Sequence, residues 1–219
     1  HAQAKRQHRW MRGDWQTLPW LGSKIPDVER KLYPSPISIL GRWKLFDNLR
    51  RSLVPASLFL LLVAIFAFAP GSLCFWMIGL FVIVGFPVYS LFWRFVVDLP
   101  IGYSITAFLG SFWSDLHRSV LLVGASLALL PHQALLGVDA MRTSLRRMYV
   151  TKRRMLEWQT AADAERRSGG ALQDFIAAMR DSWKVTAIAL LVVAIASPGA
   201  LLNAPLIIFA LWFASPVVA

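Results

Sequence analysis

Residues 53–93 read "LVPASLFLLLVAIFAFAPGSLCFWMIGLFVIVGFPVYSLFW", with no Asp, Glu, Lys or Arg anywhere in the stretch. Pro70-Gly71 divides it into uncharged runs of 17 residues, Leu53 to Ala69, and 22 residues, Ser72 to Trp93. A helix rises about 1.5 Å per residue, so runs of this length can cross about 30 Å of hydrocarbon. A Pro-Gly pair is a turn signal, and the two runs therefore read as a transmembrane hairpin. The fold class follows: mainly α, part of a polytopic membrane protein built from transmembrane helical hairpins and interfacial amphipathic helices.

Composition agrees. The 219 residues are 57% hydrophobic and 16% charged, and the mean hydropathy is +0.53, more apolar than a water-soluble domain of this size. The formal charge is +11, which by itself suggests nucleic acid. Its placement points elsewhere. Residues 1–51 hold eleven basic and four acidic side chains, and residues 142–167 hold eight and three. Basic clusters beside apolar spans are what cytoplasmic loops and anionic leaflets select, so no nucleic-acid partner is expected. The single Cys74 lies in an apolar run and cannot form an internal disulfide. The chain opens on His1 and closes inside the apolar run 206–219, so it reads as a piece of a longer protein.

Working outward from the hairpin, Leu40, Trp43, Phe46, Leu49 and Leu53 recur at three- and four-residue steps while Arg42, Lys44, Asp47, Arg50 and Arg51 take other faces. Residues 37–52 are thus expected as an interfacial helix in the headgroup plane. Pro19, Gly22, Pro26, Pro34 and Pro36 mark residues 19–36 as a linker, the end of a cytoplasmic part covering 1–36. After the hairpin of 53–93, residues 94–170 form a cytoplasmic or interfacial region. Inside it, 120–140 is long enough to span but contains Pro131-His132-Gln133 and Asp139. Crossing there would put the basic residues of 142–167 outside, so a re-entrant or interfacial course is the favoured alternative to a span. A polar helix is expected over 142–167, followed by the breaker Ser168-Gly169-Gly170. Residues 171–219 then hold a second, truncated hairpin that turns at Pro198-Gly199 or at Asn203-Ala204-Pro205.

Chemistry-bearing side chains concentrate in residues 6–16, "RQHRWMRGDWQ". Arginine offers a planar fork to phosphate oxygens and tryptophan a flat face to a sugar ring. Arg9, Trp10, Arg12, Asp14 and Trp15 are therefore candidate acceptor- or substrate-binding residues, with headgroup anchoring as the plainer reading of the same composition. Asp14 has no acidic neighbour, so neither a metal site nor a glycosidase carboxylate pair is expected. His117 and His132 lack ligand spacing and read as packed or interfacial; Asp98 and Asp115 read as solvated. No catalytic residue is assigned within the chain.

Three blocks, "HRWMRGDWQ" at 8–16, "SPISILGRWKLFDNLRRSLVPA" at 35–56 and "LPHQALLGVDAMRTSLRRMYVTKRRMLEWQTAADAERR" at 130–167, closely resemble the cyclic β-1,2-glucan synthases, large bacterial inner-membrane proteins. The likeness covers most of residues 7–167. It implies a multi-pass inner-membrane segment of a processive glycosyltransferase. That enzyme uses UDP-glucose, and its partners are the growing β-1,2-glucan and membrane lipids. A divalent metal, Mg or Mn, the catalytic carboxylates and the general base belong to a part of the enzyme outside this segment, so the segment alone is expected to be inactive.

Arg9-Trp10 resembles the end of the Gln-x-x-Arg-Trp motif that lines the acceptor site of such enzymes, although Arg6 stands where that motif has Gln and Gln7 is one place off. Val150, Thr151 and Arg153 resemble the Val-Thr-x-Lys core of the gating loop of cellulose synthases, with Arg153 in the Lys place. A helical stripe through Met141, Leu145 and Met148 accounts for the same region as an interfacial helix. The alternative to an enzyme segment is a non-catalytic polybasic scaffold that binds anionic lipid or a partner protein.

Overall fold

The computed structural model describes residues 2–26, 31–69, 73–97, 104–153, 179–202 and 204–218. The Pro70-Gly71 turn, Asp98, the polar segment beyond Arg153 and the Ser168-Gly169-Gly170 breaker fall outside them. The helices are α1 (Ala2–Gln16), α2 (Ile39–Phe68), α3 (Leu73–Val84), α4 (Phe86–Val97), α5 (Ile105–Ala128), α6 (Leu130–Leu145), α7 (Arg180–Ala196), α8 (Ala204–Phe213) and α9 (Ser215–Val218). Short 3-10 helices occupy Leu18–Leu21 and Pro198–Leu202, and a π-helix occupies Arg146–Thr151. The chain is mainly helical, and it divides into two compact units.

The first unit comprises His1–Leu61 and Leu130–Val185. In it α1 packs along α6. The segment expected as an irregular linker holds a minimal ribbon instead: β1 (Lys24–Pro26) pairs antiparallel with β2 (Leu32–Pro34), Ile25 opposite Tyr33. Each strand ends on a proline, which cannot donate to a ladder, so the ribbon stops at three residues a side.

Helix α2 starts at a capped end, the Gly41 N–H donating to Ser38 Oγ at 3.1 Å. It then runs unbroken for 30 residues through Pro55. The expected boundary at 52/53, between a helix in the headgroup plane and a first span, is absent. A proline ring removes the donor to the carbonyl four residues back, here that of Arg51, but one lost bond does not end a helix whose neighbouring residues keep theirs. The basic and the apolar segments therefore belong to one continuous helix.

The second unit comprises Leu62–Leu129 and Thr186–Ala219. The 22-residue run read as the second span is two helices, α3 and α4, interrupted at Gly85. There the Gly85 N–H donates to the Phe81 carbonyl at 2.7 Å. A Cβ at Gly85 would stand 2.4 Å from that carbonyl oxygen, so the break needs glycine. Helix α4 restarts with Pro87 in its first turn, where a missing donor costs nothing. Helices α4 and α5 pack through phenylalanines, Phe95 against Phe112 at 4.7 Å and Phe92 against Phe112 at 5.4 Å between ring centroids. Helix α8 packs on α5, and the indole N–H of buried Trp212 donates to the Leu127 carbonyl at 2.9 Å.

Among the described residues Ile39–Phe68 is the one helix long and apolar enough to cross a membrane by itself; α5 and the helix after it meet that test only when taken together as one broken span. Residues 120–140 are accordingly not one helix: α5 ends at Ala128, Leu129 turns, and α6 begins at Leu130 with buried Pro131 in its first turn. In the C-terminal region, α7 has 17 residues and α8 has 10, separated by the 3-10 helix that Pro198-Gly199 opens.

Candidate functional site around the first helix

The Arg/Trp stretch folds as the helix α1, and helical spacing splits it. His8, Met11 and Trp15 lie on one stripe at three- and four-residue steps, whereas Arg6, Trp10 and Gly13 point the opposite way. Burial follows: Met11 and Trp15 are each 7% exposed, and Trp10 is 63% exposed.

The inner stripe is fixed to two other helices of the first unit. Trp15 Nε1–H donates to Ser52 Oγ on α2 at 2.9 Å, and that hydroxyl donates in turn to the Leu49 carbonyl at 2.7 Å. Ser144 Oγ, in the last turn of α6, donates to the Arg12 carbonyl at 3.1 Å. His8 Nε2 meets Asp139 Oδ2 on α6 at 2.9 Å. Where α6 passes α2, the Cβ position of Gly137 is 2.4 Å from the Ser52 carbonyl oxygen and 3.9 Å from Met11 Sδ. Only glycine allows backbones to approach that closely. Ser52, Gly137, Asp139 and Ser144 thus hold the junction, and none was singled out as functional from sequence. Gly137 inside an apolar helical pattern is the signal that could have found it, since an interior glycine often marks a close helix crossing.

Of the expected binding residues, Arg9 and Arg12 are half-buried, Trp10 projects outward, and Asp14 is partly buried in the last turn of α1. Burial pushes the Asp14 carboxyl above its ordinary value, an effect that the charge of Arg51 opposes in part. Trp15 belongs to the packed junction, so the outward surface of α1 consists of Arg6, Trp10, Gly13 and the flanking Arg9 and Asp14.

Val150 and Thr151 end the π-helix and are exposed, as is Arg153 beyond it. Lys152 caps this helix in the left-handed region, φ 51°, with its N–H donating to the Arg147 carbonyl at 2.8 Å. The expected regular helix over 142–167 gives way at Arg146 to this wider turn. The last turn of α1 and the start of the π-helix are brought near one another through the Ser144–Arg12 bond.

His132 Nδ1 lies 3.2 Å from Ser182 Oγ, a link between α6 and α7. Among the described residues no three His, Cys, Asp or Glu side chains are grouped to hold a metal ion. Asp14, with an arginine for its charged neighbour, does not fit as a divalent-metal ligand, and no chemical step here runs through one.

The fold and this junction define a mainly helical segment with, among the described residues, one helix long and apolar enough by itself to cross a membrane. Over its whole length the chain is similar to the cyclic beta-(1,2)-glucan synthase NdvB of Rhizobium meliloti (strain 1021), 33% identical over 228 residues, covering 100% of this chain and 7% of that protein. The resemblance to the cyclic β-1,2-glucan synthases therefore extends beyond residues 7–167 to the apolar terminal regions. No family model matches the chain.

Proposed function

We infer that the chain is a membrane segment of a processive glycosyltransferase that makes cyclic β-1,2-glucan from UDP-glucose, supporting acceptor binding and glucan passage across the bacterial inner membrane. The single observation that carries this reading is the similarity to NdvB along the entire chain. The metal and the catalytic carboxylates belong to other parts of that enzyme, and this segment contributes surface and membrane anchorage.

Within the first unit α1 is held to α6, so both belong on one side of the membrane, and a chain that enters the bilayer along α2 has recrossed it before α6. That topology calls for an even number of crossings and supports a multi-pass arrangement. The outward Trp10, with Arg9 and Asp14 flanking it and Arg12 beside the packed stripe of Met11 and Trp15, meets the glucan: the indole stacks on a terminal sugar, and a guanidinium fork fixes a nearby anionic group. Val150, Thr151 and Arg153 supply an exposed segment at the end of the π-helix that borders the same path.

The test is β-1,2-glucan synthesis from UDP-glucose by membranes carrying equal amounts of full-length enzyme with Trp10→Ala or Arg9→Lys. Stacking contacts contribute roughly 0.5–1.5 kcal/mol beyond area burial, so a several-fold loss is expected for Trp10→Ala. Unchanged rates in both variants remove the acceptor-side assignment.

A further inference from the structure

The first half of α2 presents a face that the first unit leaves uncovered. Leu49 and Ser52 turn inward and are buried, whereas Ile39, Leu40, Trp43 and Phe46 are exposed on the outward side together with Lys44, Arg50 and Arg51. Trp43 is 61% exposed, and its ring lies 5.9 Å from that of Phe46.

Asp47 sits among the cations. Arg50 donates to Asp47 Oδ1 from Nη2 at 2.7 Å and from Nε at 3.1 Å; Arg51 Nη2 lies 3.0 Å from Asp47 Oδ2 and donates to Asn48 Oδ1 at 2.9 Å. These bonds orient the two guanidinium groups without using all five donors of either, and with Lys44 the three cations outnumber the carboxylates that face them, Asp47 and, toward Arg51, Asp14.

The helix itself indicates what covers this face. The apolar part of α2 from Leu53 to Phe68 is about 24 Å long at about 1.5 Å per residue, short of a core of about 30 Å. The residues before it, Ile39 to Ser52, continue the same helix for about 21 Å on the basic side of the apolar part. Arg50 and Arg51, next to Leu53, stand at the edge of the core where lipid phosphates lie, and Phe46 and Trp43 follow about one and two turns further out on the headgroup side, where aromatic rings partition.

We propose that this face of α2 binds anionic phospholipid, with Arg50 and Arg51 taking the lipid phosphate between them and Trp43 and Phe46 seated at the interface. The proposal rests on α2 crossing the membrane, as the proposed function has it, and adds a lipid preference to that reading. Charge complementarity and continuity with the apolar run select a lipid surface over a soluble protein.

The experiment reconstitutes the full-length protein in phosphatidylcholine vesicles containing trace spin-labelled phosphatidylglycerol or spin-labelled phosphatidylcholine and compares the motionally restricted fraction of each. A several-fold preference for phosphatidylglycerol is expected. The double variant Arg50→Gln, Arg51→Gln should reduce it about five-fold or more, the rough effect of removing even one cation at an anionic surface. Arg50→Lys with Arg51→Lys should keep most of it, which separates lost charge from lost folding.

Equal restriction of the two lipids in the wild type, or an unchanged preference in the Gln pair, overturns the proposal. A Leu60→Cys variant in a Cys74→Ser background tells the two failures apart. Protection of that thiol from water-soluble maleimide leaves α2 a span and confines the failure to the lipid preference, while free reaction sinks the span as well.

Discussion

The indole N–H of Trp15 donates to Ser52 Oγ at 2.9 Å with both side chains buried, joining α1 to α2. The serine hydroxyl is donor and acceptor at once, because it passes its own proton to the Leu49 carbonyl. Ser52→Ala removes the acceptor and strands the indole N–H in a buried place, which costs about 1–3 kcal/mol. Trp15→Phe removes the donor and leaves a small void. The double variant should therefore lose less than the sum of the two singles, since no stranded donor remains. Thermal midpoints of the full-length protein in detergent measure this cycle, and strict additivity would mean that the bond contributes nothing.

Glycines of this chain differ in what they tolerate. Gly137→Ala puts a methyl 2.4 Å from the Ser52 carbonyl oxygen, and backbone cannot step aside as a side chain can. The expected cost is about 1–3 kcal/mol or more, with α6 displaced from α2. Gly13, within α1, has nothing within 4 Å of its Cβ position. Gly13→Ala should stabilise the helix by about 0.5–1 kcal/mol. Opposite signs for the two substitutions in the same melting assay are the prediction; a neutral Gly137→Ala would refute the close crossing.

Local signals in the sequence reached the helices and stopped at what joins them. The uncharged runs and the amphipathic spacing of residues 39–53 do form helix, because both depend on neighbours a turn apart. The change from an amphipathic basic segment to an uncharged run at 52/53 misled: it reads as a boundary between two elements, yet one helix carries both, through Pro55. Gly85 misled in the other direction, since one glycine in a long apolar run gives no warning that the chain bends there over the Phe81 carbonyl. Trp10 and Trp15 look alike in composition, and only the helical phase shared by Met11 and Trp15 separates a packing residue from an outward one. The partner of Trp15 lies 37 residues away and that of His8 lies 131 away, distances that no single-sequence pattern encodes.

Asp14 gives a pH dependence with a definite sign. Its carboxyl is raised above the ordinary value, first by burial, with Arg51 opposing, and it also sits at the negative end of the α1 dipole. The folded chain consequently holds this proton more tightly than the unfolded chain. Between the two values the folded state binds more protons, so the contribution of Asp14 to stability is greatest in acid and falls as pH rises through the folded value. Asp14→Asn should raise the melting midpoint relative to wild type from about pH 4 upward, where a free aspartate ionises, and should match wild type in stronger acid. A variant less stable than wild type at neutral pH would show that the attraction of Arg51 outweighs the cost of burial.

The side of the membrane on which residues 142–153 lie follows from the contacts of α1. Arg12 and Lys152 belong to one compact unit, and α1 is held to α6 by the Ser144–Arg12 and His8–Asp139 bonds, a few residues before the π-helix that Lys152 caps. A helix cannot keep such contacts across about 30 Å of hydrocarbon. Positions 12 and 152 are therefore expected on one side, and in the proposed inner-membrane topology the excess of Lys and Arg in both regions assigns that side to the cytoplasm. In a Cys74→Ser background, Arg12→Cys and Lys152→Cys should both resist a membrane-impermeant thiol reagent applied from the periplasm, and both should react once the membrane is permeabilised. Strong periplasmic labelling at 152 with protection at 12 would mean that the chain crosses between Val120 and Ala140, and the packing of α1 on α6 could not then survive in the membrane.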